Sequence, residues 1–244
     1  MTTRVIATDL DGTLLTSKTI LPASLEALAR AREAGYQVIV VTGRHHVAIH
    51  PFIRHWLSIH LQFVVMAPIC MIITQKVLAA DPMPVEQAVS LTAMLAKQQI
   101  HGTAYVDDAM LYEHPTGHVI RTRNWAQALP EDQRPVFAQV DSLAQAVREV
   151  NAVWKFALTD DDIPRLQRFA QQVGETLGLE CEWSWHDQVD IARAGNSKGK
   201  RRRNGWPTRG CRCRMWWPSA ITTTILACWK RRAPGWRWAT RWTR

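Results

Sequence analysis

Two aspartates near the start of the chain, Asp9 and Asp11, have the residue type and spacing that phosphoryl transfer requires. They follow an apolar run at residues 5–7, which predicts a buried strand, and Gly12 after them allows the backbone to turn sharply. Ligands of open α/β sheets bind at the carboxyl ends of strands, so both carboxylates are expected at a binding edge. One carboxylate could attack phosphorus there, while the other protonates the leaving oxygen and then activates water. Mg2+ suits such a site, because hard cations bind carboxylate and phosphate oxygens.

A second candidate segment, Thr42-Gly43-Arg44, lies one β-α-β unit further along the chain. The apolar spacing of residues 21–29 predicts a helix that is closed by Gly35, and residues 38–41 predict a second buried strand. A hydroxyl followed by a glycine at a strand end suits anion binding, because a phosphate oxygen can approach an exposed N–H closely. The segment predicts a phosphate loop, although alone it would also fit an ordinary strand-to-loop turn.

Residues 9–15, with the sequence Asp-Leu-Asp-Gly-Thr-Leu-Leu, and the Thr-Gly-Arg segment resemble the haloacid dehalogenase superfamily of phosphohydrolases, in particular its Cof-type branch. A third segment follows in the family's order, since Lys198 lies in a Ser-Lys-Gly context after the β-rich residues 188–192. The resemblance implies an α/β fold with a Rossmann-like parallel-sheet core. The alternatives are a strand followed by an Asp-rich turn, and a solvated lysine at a helix start.

The same resemblance implies a role for each candidate residue. Asp9 is the nucleophile that carries an aspartyl-phosphate, and Asp11 acts as acid and base. Mg2+ is the implied cofactor, held by Asp9 and Asp11, whereas the family's further metal-binding aspartate, from a fourth motif Gly-Asp-x-x-Asn-Asp, is absent from this chain. The residues implied in phosphate or substrate binding are Leu10, Thr42, Gly43, Arg44 and Lys198.

A separate α/β insert is predicted between the two parts of this core. Its pattern predicts helices at 85–98, 142–150 and 163–177 and strands at 103–106, 110–112, 152–158 and 181–185. The insert resembles the Cof-type cap, which covers the active site and selects the substrate. We therefore expect a core at 1–79, a cap at 80–187, a return to the core at 188–201 and an aberrant tail at 202–244.

Three stretches of the insert, at residues 112–118, 153–156 and 183–187, look like the bacterial pyridoxal phosphate phosphatases of this branch. Their aromatic and histidine side chains could stack on a flat ring, or could equally be core aromatics and surface histidines. The expected substrate is a small phosphorylated metabolite, with pyridoxal 5′-phosphate as the first choice and sugar phosphates as the next.

The charge of the chain is unevenly distributed. The chain has 30 Lys and Arg and 21 Asp and Glu, but no acidic residue follows Asp190, whereas 15 basic residues and seven of the 12 Trp do. The first 190 residues alone carry a net charge of −6, so the tail produces the net charge of +9. A basic, Trp-rich tail could bind nucleic acid or a membrane surface. We expect neither partner, because a second explanation accounts for more detail.

A shift of the reading frame explains the tail. Read from the third base of each codon, residues 216–225 permit Val-Ala followed by Gly-Asp-Asn-Tyr-Asn-Asp, which is the missing fourth motif. The same offset at residues 53–75 permits an Asn-Gly after a short buried strand, as in the family. The sequence predicts two shifted segments, at about 53–75 and from about 202 to the end. We expect such a chain to fold poorly and to hydrolyse phosphate esters slowly.

Four of the five cysteines lie in these two segments, so Cys211-x-Cys213 is not interpreted as a zinc site. The chain enters a predicted strand at once, and the apolar residues 61–73 are too few to span a bilayer. A cytoplasmic location is the default expectation. The sequence leaves the oligomeric state open.

Overall fold

The structure is a computed structural model that describes most of the first 196 residues. The described residues are 4–11, 13–16, 19–49, 51–52, 63–66, 69–72, 77–196 and 212–213. The predicted lysine motif around Lys198 and all of the tail except residues 212–213 lie outside them.

A six-stranded sheet, the first sheet, contains the strands that precede both candidate motifs. Its strand order is β14-β1-β4-β5-β6-β7, and the neighbours of β1 and β4 are parallel to them. The strands are β1 (Arg4–Thr8), β4 (Tyr36–Val41), β5 (Phe63–Met66), β6 (Ile69–Ile72), β7 (Val77–Ala80) and β14 (Arg212–Cys213). A separate two-stranded ribbon, β2 (Leu15–Thr16) and β3 (Thr19–Ile20), follows β1.

Helix α1 (Pro22–Glu33) connects this ribbon to β4. Pro22 lies in the first helical turn, where its fixed φ fits the helix and its missing N–H leaves no bond unmade. Gly35 closes the helix with a φ of +81°, as the sequence predicted. Leu28 packs against Val38 and Val40 of β4 in the core of this region.

The neighbouring strands β1 and β4 place the two motifs side by side. Their parallel register pairs Thr8 with Val40, so Asp9 and Thr42 both lie just beyond the carboxyl ends of adjacent strands. Because this edge of an open α/β sheet is where ligands bind, the register supports the placement predicted from the sequence.

The far side of the first sheet is antiparallel and therefore differs from an all-parallel core. Strands β5, β6 and β7 pair in antiparallel fashion. Two residues separate β5 from β6, and a parallel pair would need a crossover of a dozen or more residues. Strands β5 and β6 come from the segment 53–75 for which a frame shift is predicted.

A second six-stranded sheet, with the order β10-β9-β8-β11-β13-β12, contains the predicted insert. All of its pairs are antiparallel except β10 with β9. Its strands are β8 (Gly102–Val106), β9 (Ala109–Tyr112), β10 (Val136–Gln139), β11 (Val153–Thr159), β12 (Glu180–Trp185) and β13 (Gln188–Ala192). The helices of this region are α2 (Val85–Gln98), α3 (Gly117–Gln127), α4 (Leu143–Glu149) and α5 (Ile163–Leu177).

The two faces of the second sheet have different partners. On one face Phe156 and Leu158 pack with the apolar sides of α2, α4 and α5 in the largest core cluster. On the other face Tyr105 and Ala157 pack with Ile49, which follows a short 3-10 turn at His46–Ala48 in the first-sheet region. The second sheet thus rests directly on the chain that follows the predicted phosphate loop.

The predicted helices and strands of the insert are confirmed, but α3 and β10 were not predicted. The domain boundary at residue 188 stays a prediction. Strand β13 pairs with β12 and β11 inside the second sheet. A tight turn at His186-Asp187 makes β12 and β13 a hairpin, which keeps β13 in that sheet. No helix in the described part of the chain has the length and apolar character needed to cross a membrane.

Candidate active site

Asp9 lies in a tight turn directly after β1. The Leu10 N–H donates to Asp9 Oδ1 at 2.8 Å, and the Leu10 carbonyl accepts from the N–H groups of Leu14 and Leu15. The Leu10 side chain is fully buried, so a contact between Leu10 and phosphate would have to use its main chain. Its N–H already orients the carboxylate of the candidate nucleophile.

Asp11 and Arg44 connect the two motifs. The Arg44 guanidinium donates to both carboxylate oxygens of Asp11, with Nε to Oδ2 at 2.8 Å and Nη2 to Oδ1 at 2.7 Å. Such a two-point contact between a planar guanidinium and a carboxylate fixes both direction and distance. The structure therefore brings together the predicted acid and base of the first motif and the predicted anion-binding cation of the second.

Thr42 is fully buried at the carboxyl end of β4. Its Oγ1 accepts the Arg44 N–H at 3.1 Å. Because the hydroxyl oxygen accepts this bond, the hydroxyl proton of Thr42 is left available to donate to an acceptor such as a phosphate oxygen.

The Arg44 side chain also lies against two aromatic rings. Its guanidinium carbon is 5.1 Å from the ring centre of Phe52 and 5.2 Å from that of Trp125. The two rings are nearly parallel, with centres 5.8 Å apart. Trp125 lies on α3, so a residue of the second-sheet region limits where the guanidinium can move.

Lys155 and Asp190 reach the phosphate loop from the second sheet, and the sequence analysis missed both. Lys155 Nζ donates to the Gly43 carbonyl oxygen at 2.7 Å and to Asp190 Oδ2 at 2.7 Å. Both side chains are largely buried. A lysine in the otherwise apolar strand 153–158 was the signal that could have pointed to this pair.

Two histidines after Arg44 hold the loop to the second sheet. His45 Nε2 lies 3.2 Å from the carbonyl oxygen of Val106, and His46 Nε2 lies 2.7 Å from Asp108 Oδ1. Both rings are buried and stack with centres 4.4 Å apart. These contacts join the loop after β4 to the β8–β9 hairpin.

The buried Tyr105 and the partly buried His118 form a second polar pair near Lys155. A hydrogen bond of 3.0 Å joins Tyr105 Oη and His118 Nε2. The pKa of His118 is lowered from 6.5 to about 4, mainly by burial; the Asp190 carboxylate opposes this shift and the Lys155 cation adds to it. Burial, with a smaller effect of Asp190, raises the pKa of Tyr105 well above its usual value. Both groups are therefore neutral at pH 7.

The three stretches singled out for ring stacking divide between core and surface. Tyr112, Trp154 and Phe156 are buried. The Trp154 indole donates to the carbonyl of Asp107 at 2.9 Å, so its polar atom has a structural partner. Trp185 is 65% exposed at the edge strand β12. The aromatic side chains of 153–156 thus serve the core.

Similar proteins identify the family. A sequence profile of haloacid dehalogenase-like hydrolases matches residues 6–204. The chain belongs to this family. The pyridoxal phosphate phosphatase YbhA of Escherichia coli (strain K12) is 66% identical over 209 residues, which cover 82% of this chain and 75% of that protein.

Solved structures of this family share the fold. A haloacid dehalogenase-like hydrolase from B. subtilis superposes with a TM-score of 0.74 at 16% identity, over 92% of this chain and 85% of that one. Another from Bacteroides thetaiotaomicron gives a TM-score of 0.66 at 15% identity, over 82% and 74% of the two chains. The predicted α/β fold, family and hydrolase class are confirmed.

The family match stops at residue 204, so residues 205–244 lie outside it. This limit agrees with the predicted aberrant tail, although two residues of that tail, Arg212 and Cys213, pair with β1 in the first sheet. The frame shift itself stays a prediction. The roles of the individual site residues also stay predictions, and Lys198 lies outside the described residues.

Proposed function

We propose that this haloacid dehalogenase-like enzyme hydrolyses phosphate monoesters through an aspartyl-phosphate on Asp9. The contact between Asp11 and Arg44 carries the proposal. It joins an acid and base candidate and an anion-binding cation at one sheet edge, beside a carboxylate held in place by a main-chain N–H.

The reaction proceeds in two displacements. A carboxylate oxygen of Asp9 forms a bond to phosphorus as the bond to the ester oxygen breaks, and Asp11 gives that oxygen its proton. Water then attacks the aspartyl-phosphate, Asp11 takes a proton from the water, and the bond between phosphorus and Asp9 breaks. The Thr42 hydroxyl and the Gly43 N–H hold the phosphoryl oxygens throughout.

Arg44 couples substrate binding to the availability of Asp11. The guanidinium occupies one lone pair on each oxygen of Asp11, so release of either oxygen frees a further lone pair for proton transfer at Asp11. A phosphate dianion competes for the same planar donors, because its oxygens match the guanidinium geometry. Phe52 and Trp125 keep Arg44 near the edge during this exchange.

Mg2+ fits the donor chemistry of this edge. Mg2+ in phosphoryl-transfer sites is commonly held by one or two carboxylates together with phosphate oxygens and waters. Asp9 and Asp11 provide two carboxylates, while no group of three or more metal-ligating side chains occurs among the described residues. Mg2+ bound there would offset the negative charge that gathers as phosphate meets Asp9.

The proposed substrate is pyridoxal 5′-phosphate or a similar small phosphorylated metabolite. This rests on the two-thirds identity to a relative whose name is pyridoxal phosphate phosphatase. The neutral Tyr105–His118 pair supports the proposal, because it offers hydrogen-bonding groups without net charge near the loop that holds the phosphate.

Replacing the nucleophile tests the reaction. In a gene with both shifted segments restored to the family frame, Asp9→Asn is expected to lower kcat/KM for pyridoxal 5′-phosphate by about 10^3-fold or more. The measurement is phosphate release with and without Mg2+. Turnover that survives this substitution would exclude Asp9 as the nucleophile.

The second candidate is a catalytically impaired remnant of such a phosphatase. The observation that favours it is the absence of the fourth motif, because the family match ends at residue 204. The chain with its present sequence and its frame-restored form are then compared in the same assay. Activity that appears with the restored frame supports the remnant, whereas equal activity of the two forms contradicts it.

A further inference from the structure

The ammonium group of Lys155 has three partners in three directions. It donates to the Gly43 carbonyl and to Asp190, and it lies 4.6 Å from the centre of the Tyr105 ring. An ammonium has three N–H donors, and an aromatic face attracts a cation at this distance. Because the buried ammonium group of Lys155 already interacts with three partners, it is suited to holding the Gly43 carbonyl in place rather than to reacting with a ligand.

A bulge in β11 directs Lys155 towards the first sheet. The register with β8 shifts between Val153 and Lys155, so that Lys155 lies opposite Tyr105. Such a bulge re-aims the side chains that follow it. Asp190 pairs with Ala157, two residues from Lys155, and therefore lies on the same face of the sheet.

The carbonyl that Lys155 holds belongs to the peptide bond between Gly43 and Arg44. In a trans peptide the carbonyl and the N–H point in opposite directions within one plane. Lys155 binds the oxygen of this plane, and Thr42 Oγ1 accepts its N–H. The plane is fixed at both ends, once by the second sheet and once by β4.

We infer that Lys155 and Asp190 are positioning residues that fix the phosphate loop through the Gly43–Arg44 peptide. The fixed peptide plane positions the Arg44 N–H that donates to Thr42 Oγ1, and this bond in turn limits the directions in which the Thr42 hydroxyl proton can point. It also sets the start of the Arg44 side chain, which continues to Asp11. The loop is thus shaped by the second sheet as well as by its own strand. The effect on phosphate binding rests on the proposed function, whereas the fixing of the peptide does not.

Amide hydrogen exchange in the full chain measures the fixing directly. Lys155→Met is expected to speed exchange in a peptide covering residues 42–46 by at least about tenfold, since the bond to a charged donor is lost. Asp190→Asn, which keeps the lysine, is expected to give a smaller rise at the same residues. Exchange in α5 reports any general loosening of the second sheet.

Arg165→Met is the matched control. Arg165 pairs with Asp160 at 3.1 Å near the start of α5 and makes no contact with the phosphate loop. Its loss removes a cation from the same region and is expected to leave exchange at residues 42–46 unchanged. A rise at residues 42–46 in Lys155→Met that is no larger than the rise in α5 would overturn the inference.

Binding of inorganic phosphate, measured by calorimetry, separates positioning from general stability. Lys155→Met and Thr42→Ala are each expected to weaken phosphate binding by about tenfold, and together by clearly less than a hundredfold, because both act on one peptide plane. Multiplicative losses would contradict coupling through that plane. If the unaltered chain binds no phosphate, the proposed function fails, while the exchange experiment still decides whether Lys155 fixes the peptide.

Discussion

Two ion pairs meet at the loop that follows β4, one from each sheet, and they differ in burial. The side chains of Asp11 and Arg44 are 43% and 26% exposed, whereas those of Asp190 and Lys155 are 15% and 5% exposed. Water and salt can compete for the first pair but hardly for the second. The exposed pair suits exchange with a charged ligand, and the buried pair suits permanent positioning.

The same difference decides what each pair contributes to stability. Exposed pairs commonly contribute about 0–1 kcal/mol, because solvent screens them and two long side chains lose freedom. Removing one partner of a buried pair costs more, since a charge is left without compensation in a poorly solvated place. The two pairs at one loop therefore allow a direct test within one molecule.

Lys155→Met is expected to have the largest effect on stability. It leaves the Asp190 carboxylate buried without its cation and is expected to lower the free energy of unfolding by about 3–5 kcal/mol. Urea unfolding followed by circular dichroism measures the change. A loss of stability smaller than that caused by Arg44→Ala would contradict the view that the buried ion pair contributes more to stability than the exposed one.

The double variant Lys155→Met with Asp190→Leu is the control for this prediction. With both charges removed, stability is expected to return to within about 1 kcal/mol of the unaltered chain, because no unpaired charge remains. The exchange of residues 42–46 is expected to stay fast. A double variant as unstable as the single one would mean that shape, rather than charge, makes the pair important.

His118 is expected to make the free energy of unfolding depend on pH. Its pKa is about 4 in the folded protein and about 6.5 in an unfolded chain. Between these values the unfolded chain binds more protons, so the free energy of unfolding increases as pH rises from 4 to 6.5 and falls again on acidification. The shift of the His118 pKa is expected to make the free energy of unfolding on the order of 3 kcal/mol higher above pH 6.5 than below pH 4.

His118→Gln tests this pH dependence while keeping a hydrogen-bonding partner for Tyr105. Urea midpoints are compared for the two proteins between pH 4 and pH 7. The slope of stability against pH is expected to be shallower in the variant. Identical slopes would show that other groups cause the dependence.

Arg44→Ala is expected to have the smallest effect on stability. At low salt it should lower the free energy of unfolding by no more than about 1 kcal/mol, and in 1 M NaCl the difference should nearly vanish. The effect of Lys155→Met should persist in the same salt. If 1 M NaCl reduced the stability loss equally in both variants, the conclusion that only the Asp11–Arg44 pair is open to solvent would be contradicted.

The strand-to-motif pattern near the start of the chain made the candidate edge predictable. Residues 5–7 and 38–41 are short apolar runs, and each is followed at once by polar residues and a glycine. Parallel neighbours place such ends side by side, so Asp11 and Arg44 could be expected at the same edge. Their direct two-point contact could not, because side-chain conformations depend on Phe52 and Trp125.

Helix α3 shows why other elements were missed. Val119 and Ala126 are its buried residues, and most of its other positions are polar, so its apolar periodicity is weak. It is held by packing on the second sheet rather than by its own pattern. Strand β13 was recognised as β-rich, but its pairing with β12 was not predicted, because strand pairing across a tight turn is not encoded in hydrophobicity alone.

The sequence by itself determined the family, the α/β class and the positions of the acidic pair and of the Thr-Gly-Arg segment, because strand periodicity and motif spacing are local along the chain. The tertiary structure decided that Lys155 and Asp190, more than a hundred residues from Gly43, close on that segment. A contact between distant residues depends on strand order, a bulge and the packing of two sheets. Those features arise only when the whole chain is folded.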